Sequence, residues 1–130
     1  MSGPYLLDTH AFLWATLAPK KLSRKAAKII SDRDAVVYLS IASIWEMAIK
    51  KGLGKLKLPV SLREFIDRAA ADLGVGILMA SMSHVLEVEY LPMHHSDPFD
   101  RLLISQSKLE NLALLSSDEN FQEYGVRRIW

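Results

Sequence analysis

An α/β fold is what this sequence predicts: three layers, α/β/α, with a central parallel sheet of four to five strands. Three observations carry the prediction. The apolar run Tyr5-Leu6-Leu7 stops abruptly at a carboxylate, Asp8. An unbroken run of this kind reads as a strand buried on both faces of a parallel sheet. Short β-prone runs then alternate with helical patterns along the chain, as they do in βαβ units. No repeat, low-complexity tract or linker interrupts the alternation, so residues 1–130 are expected to form one domain.

Each element has its own reason. His10–Leu17 reads as a short helix stopped near Pro19. Ser23 caps a second helix through Ile30, with Ala26, Ala27, Ile29 and Ile30 facing inward. Ala35–Leu39 is the next strand, since Val36, Val37 and Tyr38 favour extended backbone. Ser40 opens the most regular helix, where Ile41, Ile44, Trp45, Ala48 and Ile49 recur at helical spacing and predict the buried face. Gly52 and Gly54 end it. Pro59 and Ser61 lead into a helix that runs to about Leu73, where Gly74 terminates it. Gly76–Ala80 is a third strand, Ser83–Glu89 a short helix and Tyr90–Ser96 a loop. Asp97-Pro98 starts a helix to about Asn111, with proline at its first position. Leu112–Leu115 is a fourth strand, Ser117–Tyr124 a helical turn closed by Gly125, and Val126–Ile129 an edge strand.

Composition narrows the function classes. Of the 130 residues, 50% are hydrophobic and 24% charged, ordinary values for a globular chain able to bury a core. There is no cysteine, which excludes disulfides and cysteine-ligated zinc. No apolar segment is long enough to span a bilayer, and no basic segment followed by an apolar one marks a secretory signal. A cytoplasmic location is the expectation. The net charge of +1 creates no global field for nucleic acid, so any such binding must be local.

The candidate chemistry lies in the carboxylates. Asp8 ends the first strand, Glu46 lies in the helix after the second, Asp97 and Asp100 open the helix before the fourth strand, and Asp118 follows that strand. Each has a structural explanation taken singly. Asp8, Asp97 and Asp118 can cap helices, Ser43 and Glu46 fit a capping box, and Asp100 suits the helix dipole. Together they tell more, because ligands of open α/β sheets sit beyond the carboxyl ends of the strands. Glu46 lies about 130° from the centre of the apolar stripe, at a border from which it can reach a cleft. Clustered carboxylates repel one another unless a cation joins them. Hard oxygen donors without cysteine favour Mg²⁺ or Mn²⁺, which can supply an activated water to a phosphodiester.

The neighbouring residues are read more cautiously against their spacing. His94 and His95 adjoin Asp97, but adjacent loop histidines seldom converge on one ion. Thr9, His10 and Ser117 are expected to support the acids rather than hold the ion. Lys50, Lys51 and Lys55 are either a solvated helix end or contacts to an RNA backbone. Trp14, Trp45 and Phe99 are expected to pack, leaving no base-stacking platform. A phosphoacceptor built on Asp8 fits less well, since His10 stands where a second aspartate belongs and no glycine-rich phosphate loop follows.

Leu6-Leu7-Asp8-Thr9-His10, Ser43-Ile44-Trp45-Glu46-Met47, Asp97-Pro98-Phe99-Asp100-Arg101-Leu102-Leu103-Ile104 and Ser116-Ser117-Asp118, in this order, resemble the PIN-domain family. The stretches His10-Ala11-Phe12-Leu13-Trp14 and His94-His95-Ser96-Asp97-Pro98-Phe99-Asp100-Arg101 look like the VapC-type toxins within it. The resemblance covers essentially the whole chain. It implies strand order 3-2-1-4-5 and a Mg²⁺- or Mn²⁺-dependent ribonuclease leaving 5′-phosphate and 3′-hydroxyl ends. Asp8, Glu46 and Asp100 match the family's three core acids and Asp118 its more variable fourth. Asp97 corresponds to a position found in only part of the family, as ligand, support or cap. Ser105 and Ser107 stand where alanine is usual, and are expected to pack alike without touching the site. The resemblance also implies a homodimer and a cognate antitoxin. A non-catalytic RNA-binding PIN module is the alternative.

Overall fold

In a computed structural model, which describes residues 3–130, five parallel strands run in the order β3-β2-β1-β4-β5. They are β1 (Tyr5–Leu7), β2 (Val37–Ser40), β3 (Gly76–Leu78), β4 (Ala113–Leu115) and β5 (Arg128–Ile129). Six α-helices cover the sheet: α1 (Thr9–Leu17), α2 (Arg24–Ser31), α3 (Ile41–Gly52), α4 (Leu62–Leu73), α5 (Met82–Glu87) and α6 (Pro98–Glu110). Short 3₁₀ turns occupy Pro19–Lys21, Val88–Tyr90 and Glu119–Tyr124. The expected three-layer α/β fold and its strand order are therefore present, with small shifts of boundary. The second strand begins and ends later than Ala35–Leu39, the third stops at Leu78, and the last is shortened to two residues.

β1 is central because both of its faces are dry. Its residues pair with Val37–Leu39 on one side and Ala113–Leu115 on the other. Side chains alternate across a strand. Tyr5 and Leu7 accordingly pack with Phe12, Leu39, Phe65 and Leu115 on one face. Leu6 packs with Leu103, Ile104, Leu114 and Phe121 on the other. Asp8 is the first residue past this apolar run and so falls at the carboxyl edge of the sheet.

Local signals start and stop the helices. Ser23 accepts the Ala26 N–H, Ser40 the Ala42 N–H and Ser61 the Glu64 N–H. Gly74 closes α4 at φ +67°, which glycine adopts without steric strain. Asn111 closes α6 in the same left-handed region rather than extending it.

The rotation of α3 corrects the periodicity reading. Its buried residues are Ala42, Ser43, Glu46 and Met47, whereas Trp45 is 56% and Ile49 40% exposed. Ala48 is exposed too. Trp45 meets Phe99 edge-on and otherwise faces solvent. The physical reason is that α3 starts directly at the end of β2. It must lay small residues, Ala42 and Ser43, against neighbouring elements, which turns the apolar stripe partly outward. Ser43 makes no capping box, since its buried hydroxyl has no partner.

Candidate metal centre

Four segments deliver acids to one cleft of about 160 Å³ at the carboxyl edge of the sheet. Asp8, Glu46, Asp97, Asp100 and Asp118 all line it. The helix-capping and shared-cleft readings turn out to be compatible. Asp8 caps α1 by accepting the Ala11 N–H through Oδ1 (2.7 Å). Asp97 caps α6 through one oxygen, which accepts from Phe99 and Asp100. Asp118 caps the Glu119–Tyr124 turn through its Oδ1. A carboxylate has about four lone-pair sites, so capping leaves each acid able to accept more.

Short bonds orient the two most buried acids. The Ser116 hydroxyl donates to Asp8 Oδ2 (2.5 Å) and accepts the Asp118 N–H (3.0 Å). Ser116 therefore joins Asp8 and Asp118, whereas Ser117, the serine expected to support Asp118, is exposed on the cleft rim. The neighbouring serine was visible in the same motif. Only the inward pleat of the residue just after β4 selects it. Thr9 donates from Oγ1 to Glu46 Oε1 (2.7 Å), and Lys50 Nζ lies 2.7 Å from Glu46 Oε2. Glu46 is thus held on both oxygens.

Burial and mutual repulsion govern the electrostatics of these acids. Burial raises the Asp8 carboxyl above its ordinary range, opposed in part by the Ser116 and Ala11 hydrogen bonds. Burial also raises Asp100, to about 7, and the charges of Asp97, Glu46 and Asp8 add to the effect. A raised acid pKa means the folded chain holds its proton more tightly than the unfolded chain. Stability contributed by Asp100 is therefore present in acid and is lost as pH rises from about 4 to about 7. With the discount for partial solvent exposure, the expected loss in the metal-free chain is on the order of 1–2 kcal/mol. Urea titrations across that window, with and without Mn²⁺, check this. Metal should remove the loss, because it competes with the proton.

The lysines and histidines separate in space. Lys50 lines the cleft, whereas Lys51 and Lys55 do not. His10 sits exposed on the cleft edge with its ring 5.7 Å from that of Trp14. His94 turns away towards Glu123 and Tyr124. His95 enters the cleft, with Nε2 3.2 Å from Asp100 and 3.6 Å from Asp118. The sequence showed the adjacent pair but could not say that one would be turned in and the other out.

Arg101, quoted in the motif but given no role, is buried beneath the site. Its guanidinium donates to the carbonyls of Val88, Leu91, Pro92 and His95. It thereby ties the loop carrying His95 to α6. Ser105 and Ser107 do more than pack like alanine. They donate to the carbonyls of His84 and Leu112, and neither touches the cleft. A larger groove of about 840 Å³, lined in part by Leu22, Ile30, Arg33 and Leu73, holds no group of described side chains placed to share a cation.

A parallel sheet with convergent acids beyond its strands defines an α/β protein with an acidic cleft at its carboxyl edge. The PIN domain family model matches residues 5–126, and the chain belongs to the PIN-domain family. Members of that family are in general nucleases that use a divalent metal. Comparison with the curated proteins finds no match.

Solved structures of similar fold include VapBC2 from Rickettsia felis bound to a DNA fragment from its promoter. It has 14% identity, coverage of 98% of both chains and a TM-score of 0.73. FitAcB from Neisseria gonorrhoeae follows at 16% identity, 97% and 96% coverage, and a TM-score of 0.63. A toxin–antitoxin complex from Klebsiella pneumoniae has 17% identity, 90% and 89% coverage, and a TM-score of 0.59. Among the described residues no helix is long and apolar enough to cross a membrane.

Proposed function

We propose that this chain is a metal-dependent endoribonuclease of the VapC type, the toxin of a toxin–antitoxin pair. The observation that carries the reading is the convergence of Asp8, Glu46, Asp100 and Asp118 on one cleft. There, burial and mutual repulsion raise the acids at positions 8 and 100. Oxygen donors that disfavour one another in this way fit a hard divalent cation. Asp8, Glu46, Asp100 and Asp118 would hold Mg²⁺ or Mn²⁺, with Asp97 beside them. A bound cation supplies an activated water and offsets charge developing on the phosphodiester.

The side chains around the acids do the positioning. Ser116 and the Ala11 N–H fix the Asp8 carboxylate, and Thr9 fixes Glu46. Lys50 is 44% exposed and can leave Glu46 to meet an RNA phosphate at the rim. Attack of water on phosphorus with breakage of the P–O3′ bond, the 3′-oxygen leaving and taking up a proton, gives a 5′-phosphate and a 3′-hydroxyl. Lys50→Gln is expected to weaken RNA binding and to lower its salt slope by about one. Its Mn²⁺ affinity should stay within about twofold of wild type. Filter binding at several salt concentrations measures the first and calorimetry the second.

The toxin reading draws on the resemblance to VapC-type toxins and on the similar folds in VapBC2, FitAcB and the Klebsiella complex, the last described as a toxin–antitoxin complex. The partners are then an RNA substrate, a cognate antitoxin and a second copy of the chain, in the cytoplasm. Exposed Trp45 and Ile49, one helical turn apart on α3, with exposed Leu53 at its C-cap, support the homodimer. Light scattering should give twice the chain mass of 14.6 kDa. The direct test of function is incubation of the chain with single-stranded RNA in Mn²⁺ or EDTA. Cleavage in Mn²⁺ alone, with 5′-phosphate ends, is expected. Tight RNA binding that Mn²⁺ never converts to cleavage would leave a non-catalytic module instead.

A further inference from the structure

We infer that His95 is a positioning residue of the cleft, whose Nε2–H lies between Asp100 and Asp118 and holds Asp118 in reach of a shared cation. The inference rests on the metal-binding reading above and adds a residue to it. One ligand atom from each of His95, Asp100 and Asp118 lies within 4.8 Å of the others. His95 Nε2 is 3.2 Å from Asp100 Oδ2 and 3.6 Å from Asp118 Oδ2, so the nitrogen lies within ion-pair reach of both acids.

The ring is held rather than draped. It stacks on Phe121 at 6.1 Å between centroids and 23° between planes. The carbonyl of the same residue accepts from Arg101 at 3.3 Å and from the Tyr124 hydroxyl at 3.5 Å. Phe121 and Tyr124 belong to the turn that Asp118 caps, so imidazole and acid are carried by the same piece of structure.

The tautomer decides what the nitrogen can do. Nδ1 faces the Asp97 N–H at 3.4 Å and acts as its acceptor. A neutral imidazole has a single N–H, which then belongs to Nε2. Nε2 therefore offers a donor to the carboxylates and no lone pair to a cation. Asp118 has most need of that donor. It caps a short 3₁₀ turn with its side chain 37% exposed, whereas Asp100 is in the first turn of a 13-residue helix and 22% exposed. A dipole pointing between two like charges offsets their repulsion and keeps the looser one in place.

The test measures Mn²⁺ affinity of the full chain from the electron paramagnetic resonance signal of free Mn²⁺. His95→Phe keeps the stacking ring and loses the N–H, and is expected to weaken binding about tenfold. His95→Gln returns an amide N–H near the same place and should recover most of the loss. In an Asp118→Asn background, His95→Phe should change affinity less than about twofold, because the acid it acts through is already gone. Pulsed measurements should reveal no directly bound ¹⁴N in the wild type.

Wild-type affinity in His95→Phe would overturn the inference and leave the metal centre standing. So would an undiminished effect in the Asp118→Asn background, or a ¹⁴N coupling that His95→Phe removes. No Mn²⁺ binding by the wild type would overturn the metal reading together with the inference.

Discussion

Asp8→Asn should reduce Mn²⁺-dependent RNA cleavage by at least about 10²–10³-fold, the scale seen when one preorganised group supporting a transition state is lost. The fold should survive and gain stability. Asn keeps the oxygen that accepts the Ala11 N–H, and Ser116 can rotate to accept from the new amide instead of donating. What disappears is a carboxylate that burial already disfavours. Relief of that penalty should raise the metal-free Tm. The rise that Mn²⁺ produces in the wild type, about 2.7 kcal/mol at a hundredfold excess over Kd, should shrink or vanish. Thermal scans and a gel assay on the same preparation decide the matter. Cleavage at the wild-type rate by the folded variant would remove the acid cluster from the mechanism.

The largest effect on stability is expected at Arg101. Its guanidinium donates to four main-chain carbonyls and approaches the Tyr124 hydroxyl at 3.5 Å, with no carboxylate in salt-bridge range among the described residues. Arg101→Met keeps much of the apolar stem and removes every donor. Four carbonyls around a buried space then lose their partner, and the predicted destabilisation is about 3–5 kcal/mol. Arg101→Lys should recover only part of this, since one ammonium cannot match a planar fork that reaches carbonyls on several sides. Urea unfolding with an unchanged m-value measures the loss. A change below about 1 kcal/mol would mean that water replaces the guanidinium at little penalty. Because His95 hangs on the same carbonyl network, Arg101→Met should also weaken Mn²⁺ binding at temperatures where it remains folded.

These two positions mark where reading along the chain succeeded and where it stopped. Asp8 was legible because an apolar run that ends in a carboxylate places that acid at a strand's carboxyl end, whatever else the chain does. The caps at Ser23, Ser40, Ser61 and Asp97 were legible for the same reason. Each involves residues within three positions of one another. Arg101 was only a letter in a motif, since nothing nearby in sequence indicates that a guanidinium will turn inward to carbonyls 6 to 13 residues away.

The same division holds for the cleft. Helical spacing on α3 pointed to Trp45, Ala48 and Ile49 as its inner face, yet Glu46 and Met47 took that place. Serial spacing defines which side chains share a face of a helix. It leaves open how far the helix is rolled about its axis, and that angle depends on what β1, α1 and α6 offer it. The gathering of acids follows from apolar runs and caps written in neighbouring residues; right-handed crossovers only narrow the strand order to a few options, and the order 3-2-1-4-5 came from the family resemblance. The selection of Ser116 over Ser117 and of His95 over His94 awaited packing. Each choice between adjacent side chains is a half-turn of backbone, set by contacts with residues far off in the chain.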